Sequence, residues 1–266
     1  MSISMFRRIK GEGEPVLLLH GFTGSSSTWE GMDASLPFQL VMPDLAGHGR
    51  TTRLSQGLEA EAEAVKKMME ECGFPSFHLI GYSMGGRLAL VIALLYPESV
   101  RSLILESASP GLESEKERAA RRNSDEKLAR MIEREGVASF VQFWENIPMF
   151  HSQKELPPAV QKKVREERES QSAAGLASSL RSMGTGSQAS YWERLESLAM
   201  PVLLLTGTRD EKFTGIASRM SRHIPLCEWI QFNGAGHAIH VEQRDKFGTI
   251  VKTFLLNQKG GQQSGS

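Results

Sequence analysis

The sequence predicts an α/β fold in which a mostly parallel sheet has helices on both faces and carries a helical cap insertion. Two patterns carry this prediction. Short, continuous apolar runs alternate with longer helical stretches, as a parallel sheet covered on both faces requires. Between about residues 110 and 190 the alternation stops, and charged and polar side chains replace the strand pattern. We therefore expect one α/β domain over residues 1–258, with an insertion near its middle.

Six apolar runs are predicted as buried strands joined by right-handed crossovers. Each run is five or six residues long, and most are rich in leucine, valine or isoleucine. The strands are residues 16–20, 39–44, 77–81, 102–106, 202–206 and 228–232. The predicted helices are residues 57–71, 85–96, 215–223 and 241–256.

The segment between about residues 110 and 190 is expected to cap one end of the sheet. Residues 113–135 alone carry seven acidic and seven basic side chains, many three or four positions apart, which favours helices with ion pairs. An independent second domain is the alternative, but the sheet pattern resumes after the segment. Residues 259–266 are rich in glycine, serine and glutamine, and are predicted to be a flexible tail.

Composition and charge narrow the class of protein. Lysine plus arginine equals aspartate plus glutamate at 31 each, so the chain lacks the basic excess of a nucleic-acid binder. The longest apolar run, residues 88–96, is about half as long as a membrane span, and no secretory signal is evident. Two cysteines are too few for a disulfide framework. We expect a cytoplasmic protein without nucleic-acid or membrane partners, and its oligomeric state does not follow from the sequence.

The segment Gly81-Tyr-Ser-Met-Gly85 fits the G-x-S-x-G pattern of a nucleophile elbow. It stands where a predicted strand ends and a predicted helix begins. A serine on such a strained turn needs glycines beside it, because larger side chains would collide with the sheet and the helix. Ser83 is therefore the candidate reactive hydroxyl. A glycine-rich turn without a catalytic role is the alternative.

A serine hydroxyl needs a base, and the base needs an orienting acid. Asp210 and His237 each follow a predicted strand, and the chain order Ser, Asp, His is that of the α/β-hydrolase fold. Strand ends of this kind are also where open α/β sheets bind their ligands. We predict a catalytic triad of Ser83, Asp210 and His237.

Other residues compete for these roles. His240 is close to His237 but stands at the start of the last predicted helix, and Glu211 directly follows Asp210. Glu106 would be the acid if the protein carried it one strand earlier. Three further histidines are expected to be structural: His20, His48 and His78.

The glycine-rich loop at residues 20–25 follows the first long strand. In such folds this loop supplies one backbone N–H of an oxyanion hole, and the residue after the serine supplies the other. Phe22 and Met84 are the predicted donors, with a plain glycine turn as the alternative. No histidine or cysteine pair has metal-ligand spacing and no Walker loop occurs, so we expect neither a metal nor an organic cofactor.

Arginines are frequent in the predicted cap, and their planar guanidinium groups bind carboxylates with two parallel hydrogen bonds. If two or three of them face the sheet, the substrate is a small polyanion, whereas solvated ion pairs are the alternative. Phe143 and Trp144 could add an apolar wall or simply pack the lid. The arginines are Arg118, Arg121, Arg122, Arg165, Arg168 and Arg181, with Arg87 just behind the elbow.

Several motifs together resemble the 2-succinyl-6-hydroxy-2,4-cyclohexadiene-1-carboxylate (SHCHC) synthases, pyruvate-eliminating lyases of menaquinone (vitamin K2) biosynthesis. The resemblance covers roughly residues 6–256. The motifs lie at residues 20–25, 44–50, 81–87, 107–112, 118–125, 184–188 and 236–240. The elbow and triad are common to the superfamily. The tyrosine before the serine, the arginine after the double glycine, Arg118-x-x-Arg121 and the loop 184–188 are specific to the synthases.

The resemblance implies an α/β-hydrolase fold, a tricarboxylate substrate and no cofactor. It implies that Ser83 acts as a general base and not as an acylated nucleophile. The substrate would be bound by Tyr82, Arg87, Arg121, Trp144, Arg168 and Lys212, with Arg165 as a rival to Arg168. Three residues stand where the family usually has proline, which concerns backbone stiffness and not chemistry: Ala46, Ala189 and Arg244.

Two other functions stay open at this point. The triad alone fits a serine hydrolase of esters or carbon–carbon bonds. A ligand-binding module that keeps the fold without catalysis has less support, because all three triad positions are filled.

Overall fold

The computed structural model describes residues 5–259, with the side chain of the last residue left out. The predicted flexible tail, residues 259–266, therefore lies outside the described residues apart from one backbone position. None of the helices between residues 5 and 259 combines the length and apolar character that a membrane crossing needs.

The centre of the fold is a seven-stranded sheet in the order β1-β3-β2-β4-β5-β6-β7. All neighbours are parallel except β1, which runs antiparallel to β3. The strands are β1 Arg7–Lys10, β2 Pro15–Leu19, β3 Gln39–Pro43, β4 Phe77–Tyr82, β5 Val100–Glu106, β6 Val202–Gly207 and β7 Cys227–Phe232. The six predicted strands are all present. The edge strand β1 was not predicted, because its residues are mostly basic and only partly buried.

Eight helices accompany the sheet within the described residues. They are α1 Leu58–Glu71, α2 Met84–Leu95, α3 Glu115–Trp144, α4 Pro158–Glu169, α5 Ala173–Met183, α6 Glu211–Met220, α7 Ile239–Glu242 and α8 Arg244–Lys259. Helix α6 begins four residues before the predicted start, because the Asp210 side chain accepts a hydrogen bond from Phe213 N and caps it. The predicted last helix is two helices, separated at Gln243 by a non-helical backbone conformation.

Side chains from alternate positions of the buried strands form two hydrophobic cores, one on each face of the sheet. Leu17 and Leu19 of β2 face α1 and α2, whereas Val16 and Leu18 face α8 and the 3₁₀ helix Ser26–Trp29. Burial on both faces explains why these strands are continuously apolar.

The insertion between β5 and β6 is helical, as predicted. Helices α3 and α5 share a separate small core that includes Phe140, Leu176 and Leu180, and Phe22 of the sheet domain packs against it. Helix α3 is kinked at Gly136, whose φ of 83° interrupts the helical backbone. The division of the chain into one domain over residues 1–258 stays a prediction.

Candidate active site

Ser83 occupies a strained turn between β4 and α2. Its φ of 51° is unusual for a residue with a side chain. A Cβ atom on Gly81 would collide with the carbonyl oxygen of Gly85, and one on Gly85 would collide with that of Leu19. The Ser83 N–H donates to the Glu106 carbonyl at 2.9 Å. The two elbow glycines are thus required by close backbone contacts, which explains the G-x-S-x-G pattern.

A hydrogen-bonded relay connects Ser83, His237 and Asp210. Ser83 Oγ donates to His237 Nε2 at 2.9 Å, and His237 Nδ1 donates to Asp210 Oδ2 at 2.6 Å. The other Asp210 oxygen accepts from Phe213 N at 3.4 Å, so the start of α6 holds the carboxylate in place. His237 is almost fully buried. The imidazole is therefore oriented to accept the serine proton.

The loop that carries His237 is held by a residue that the sequence reasoning missed. Glu242 of α7 accepts hydrogen bonds from Gly236 N at 2.6 Å and from Ala238 N at 3.4 Å, on either side of the histidine. It also accepts from Ser152 Oγ of the cap at 3.0 Å. In the sequence, Glu242 is visible only as an acidic residue four positions after Ala238. Its role could not be predicted, because it binds backbone N–H groups, which no sequence motif reveals.

The rival histidine and the rival acid pair with each other. Glu106 accepts from His240 Nδ1 at 2.9 Å and from His240 N at 3.1 Å, and both residues are fully buried. Glu211 is exposed at the start of α6. Neither of these alternatives joins the Ser83 relay.

The three histidines expected to be structural bond to nearby groups. His20 accepts from Leu45 N at 3.0 Å, and His78 lies 2.8 Å from a serine hydroxyl of the neighbouring strand. His48 Nδ1 donates to the Ala46 carbonyl at 2.9 Å, and burial lowers the pKa of His48 to about 3. Within residues 5–259, no three His, Cys, Asp or Glu side chains are grouped as metal ligands.

Ser83 opens into a cavity of about 230 Å³ beneath the cap. Phe22 and Met84, the predicted oxyanion donors, both border it. Met84 is the first residue of α2, so its N–H has no partner within the helix and is available to a ligand. The same cavity is lined by four of the predicted substrate-binding residues, namely Arg87, Arg121, Trp144 and Lys212.

Three basic side chains, Arg87, Arg121 and Lys212, line this cavity together. Arg87 donates to the Gln188 side chain and to the Met183 carbonyl, each at 2.8 Å, and Arg121 pairs with Asp125 at 2.8 Å. Burial, with some repulsion from Arg121, lowers the pKa of Arg87 to about 10.

Burial, together with repulsion from Arg121, also lowers the pKa of Lys212. Acidic side chains line the cavity too, but Glu113 pairs with Arg219 and Glu117 caps α3. An anion bound among Arg87, Arg121 and Lys212 would relieve the repulsion between these cations.

The other predicted cap arginines do not line the Ser83 cavity, although one of them, Arg168, is buried. Arg168 is buried, lies 4.6 Å from the ring centre of Phe150 and donates to Gln153 at 3.0 Å. The rival Arg165 is exposed and pairs with Glu145. Three more arginines form outward ion pairs with glutamates: Arg118, Arg122 and Arg181. Of the seven arginines named from the sequence, Arg87, Arg121 and Arg168 therefore line the Ser83 cavity or the one beside it.

Tyr82 and Arg168 border a second, neighbouring cavity of about 450 Å³, and not the cavity that contains Ser83. Phe22 borders both cavities, so the two are adjacent. Trp144 packs 5.6 Å from the Phe22 ring, whereas Phe143 is 46% exposed and contributes no wall. The Trp144 Nε1–H is buried without a hydrogen-bond partner among the described residues.

A serine elbow, an adjoining glycine-rich loop and a Ser-His-Asp relay at the ends of parallel strands define the α/β-hydrolase class. The sequence pattern of the family described as "alpha/beta hydrolase fold" matches residues 14–243.

Known proteins narrow this class. The chain is 42% identical over 249 residues to a Bacillus subtilis protein provisionally named as an SHCHC synthase, covering 92% of this chain and 91% of that protein. It is 30% identical to the SHCHC synthase of Salmonella agona, over 86% of this chain and 89% of the relative. The chain belongs to the SHCHC synthase family of α/β hydrolases.

Solved structures agree with this placement. MenH from S. aureus superimposes with a TM-score of 0.91 at 33% identity, over 95% of this chain and 98% of that one. A malate-bound thermophilic esterase from Thermogutta terrifontis has a TM-score of 0.84 at 26% identity, over 96% and 93% of the two chains. The fold is thus shared with MenH from S. aureus and with an esterase.

Proposed function

We propose that this chain eliminates pyruvate from 2-succinyl-5-enolpyruvyl-6-hydroxy-3-cyclohexene-1-carboxylate to form 2-succinyl-6-hydroxy-2,4-cyclohexadiene-1-carboxylate. The observation that carries this function is one cavity lined both by Ser83 of the Ser–His–Asp relay and by Arg87, Arg121 and Lys212. A fourth basic residue of the lining, Arg219, is paired with Glu113. The family membership supports the same reaction. A hydrolase of neutral esters has no need for such a concentration of positive charge.

The substrate carries three carboxylates, which matches the cationic lining. Arg87 and Arg121 are held by neighbouring side chains before any ligand arrives, so little side-chain ordering is needed on binding. Arg168 in the neighbouring cavity is the further cation proposed for a carboxylate that reaches past Phe22. Tyr82 and Trp144 are proposed to supply the aromatic contacts.

The reaction begins with removal of the ring proton next to the succinyl ketone. Ser83 Oγ takes this proton while His237 takes the proton of the serine hydroxyl, and Asp210 stabilises the imidazolium that results. The electron pair of the broken C–H bond forms an enolate. Its negative oxygen would accept hydrogen bonds from the N–H groups of Phe22 and Met84.

Collapse of the enolate completes the elimination. The electron pair moves through the ring double bond and breaks the bond between C5 and the enolpyruvyl oxygen. The departing enolate takes a proton, which His237 can return through Ser83, and becomes pyruvate. Neither water nor an acyl-enzyme takes part, so we propose that Ser83 only transfers protons, first as a base and then as a donor, and never as a nucleophile.

A serine hydrolase of esters or carbon–carbon bonds is the second candidate. The complete relay favours it, since Ser83 is also placed to attack a carbonyl carbon.

We also propose a cytoplasmic location and a small polyanion, rather than a nucleic acid, as the ligand. The balanced charge and the free thiols of Cys72 and Cys227 support these two proposals.

The discriminating experiment supplies the purified protein with the enolpyruvyl substrate and, separately, with simple aryl esters. Pyruvate and the conjugated diene are followed together by a coupled assay and by absorbance. The lyase predicts fast, equimolar formation of both products beside slow ester turnover. Rapid acylation of Ser83 by the esters, without pyruvate formation, would establish the hydrolase instead.

A further inference from the structure

One carboxylate of the cap reaches the loop that carries a predicted oxyanion donor. Glu167 lies on α4, and its Oε1 accepts hydrogen bonds from Ser25 N at 3.0 Å, Ser25 Oγ at 2.8 Å and Thr28 Oγ1 at 2.9 Å. The partners are about 140 residues apart in the chain, so this is a tertiary link between the cap and the sheet domain.

The hydrogen-bonded groups lie directly against the turn at residues 21–24. Gly24 N donates to the Gly21 carbonyl at 3.1 Å and closes this turn around Phe22. A Cβ atom on Gly24 would collide with Thr28 Oγ1, which shows how closely the threonine packs on the turn. A shift of Thr28 or Ser25 would therefore shift the backbone that carries the Phe22 N–H.

Burying the Glu167 carboxylate in this position costs free energy, because burial disfavours its charged form. Burial raises the pKa of Glu167, although its serine and threonine donors favour the charged form. The next residue, Arg168, is buried and extends into the neighbouring cavity. The same turn of α4 therefore holds both a proposed substrate contact and the link to the loop.

We propose that Glu167 is a positioning residue, which sets the Phe22 N–H in the oxyanion hole by anchoring Ser25 and Thr28 to the cap. The same contacts that hold the cap against the sheet domain thereby also complete the oxyanion hole. The proposal rests on the proposed function only in that the enolate of that reaction is the anion to be stabilised. Any reaction of Ser83 that develops negative oxygen depends on the same N–H.

The test uses two reactions of the full chain. The first is pyruvate release from the enolpyruvyl substrate, and the second is labelling of Ser83 by a p-nitrophenyl phosphonate, read by nitrophenolate release and protein mass. E167A is expected to slow both reactions by roughly 10- to 100-fold, within the loss that follows removal of an oxyanion donor. E167Q keeps an oxygen acceptor and is expected to restore both rates to within about threefold.

Glu166 provides the matched control, because it is the exposed neighbour on the same helix and its side chain pairs with Lys162 across 3.7 Å. E166A is expected to change neither rate. The E167A effect is expected mainly in kcat, with KM little altered, since the proposed substrate contacts remain.

Thr28→Val tests the same link from the other side, since it removes the hydroxyl and keeps the shape. It is expected to slow both reactions several-fold, and the double variant with E167A is expected to be no slower than E167A alone. If E167A does not fold, Thr28→Val and E167Q still decide the question.

Unchanged phosphonylation in folded E167A and in Thr28→Val would overturn the proposal, as would an effect on KM alone. If the unmodified protein releases no pyruvate while the variants still follow the expected phosphonylation order, the proposed function fails and the positioning role stands.

Discussion

His240 Nδ1 lies 2.9 Å from both carboxylate oxygens of Glu106, beside the pair formed by His237 and Asp210. The Tyr82 ring separates the two imidazoles, with its centre 5.4 Å from that of His237 and 4.6 Å from that of His240. Each acid therefore has its own histidine, and only one of the two histidines reaches Ser83. Replacing the acid of each pair by its amide should therefore have different effects, on catalysis for Asp210 and on stability for Glu106.

Asp210→Asn is expected to lower kcat by roughly 10³- to 10⁴-fold, because the amide no longer holds the imidazole in the required tautomer. Glu106→Gln is expected to leave kcat within about tenfold and to cost roughly 1–3 kcal/mol of unfolding free energy, since a buried hydrogen-bonding group loses its match. Pyruvate release and urea denaturation of both variants are the measurements. A large loss of kcat in folded Glu106→Gln, with Asp210→Asn still active, would reverse the assignment of the acid.

Ser83→Ala is expected to reduce pyruvate release by at least about 10³-fold, since the proton-accepting oxygen is lost while the cationic lining remains. The dissociation constant of the substrate should change little, because the proposed carboxylate contacts do not involve Ser83. Stopped-flow turnover and equilibrium titration measure the two quantities. Retained turnover in the variant would exclude Ser83 as the base.

The triad candidates could be found from the sequence because each residue follows a predicted strand. The strands before Ser83 and Asp210 are fully buried. The strand before His237 has the polar residues Glu228 and Gln231 among its apolar ones. The elbow glycines carry a second, independent signal, since close backbone contacts exclude side chains at both positions. The resemblance identified Arg87, Arg121 and Arg168 among the many charged residues of the chain, which composition alone could not do.

The positions of the supporting residues could not be predicted in the same way. Glu167 and Glu242 hold backbone N–H groups, and Gln188 holds Arg87 from 101 residues away. The contacts of Glu167 and Gln188 depend on how the cap sits on the sheet, and a single sequence carries no periodic trace of that placement. Those of Glu242 are local, but their partners are backbone groups that no side-chain pattern reveals. Strand β1 was missed for a related reason, because an edge strand needs no continuous apolar run.

Arg121→Ala is expected to weaken substrate binding by roughly 10- to 150-fold, which corresponds to ~1.5–3 kcal/mol for a hydrogen-bonded charge. The side chain is partly exposed, so the larger losses typical of fully buried pairs are not expected. Arg130→Ala is the matched control, because Arg130 lies on the same helix, is exposed and pairs with Glu126. Isothermal titration with the substrate or a tricarboxylate analogue measures both, and equal affinities would remove Arg121 from the site.

His48 should make the protein sensitive to acid. Its pKa is about 3 in the folded state, because burial disfavours the charged ring, against 6.5 as the ordinary value. Between pH 6.5 and 3 the unfolded chain therefore binds a proton at His48 that the folded chain does not. The unfolding free energy contributed by this group is complete above pH 6.5 and decreases as the pH falls, by about 1 kcal/mol per unit near pH 5 to 6.

His48→Gln keeps a donor for the Ala46 carbonyl and removes the titrating ring, so the variant should lose stability less steeply between pH 6.5 and 5. His20, whose pKa burial also lowers, remains in the variant and accounts for part of the slope that is left. Leu36→Val serves as a control that weakens the buried core without removing a titrating group. Urea denaturation at several pH values gives the slopes, and equal slopes for His48→Gln and the unmodified protein would show that His48 is protonated in the folded state.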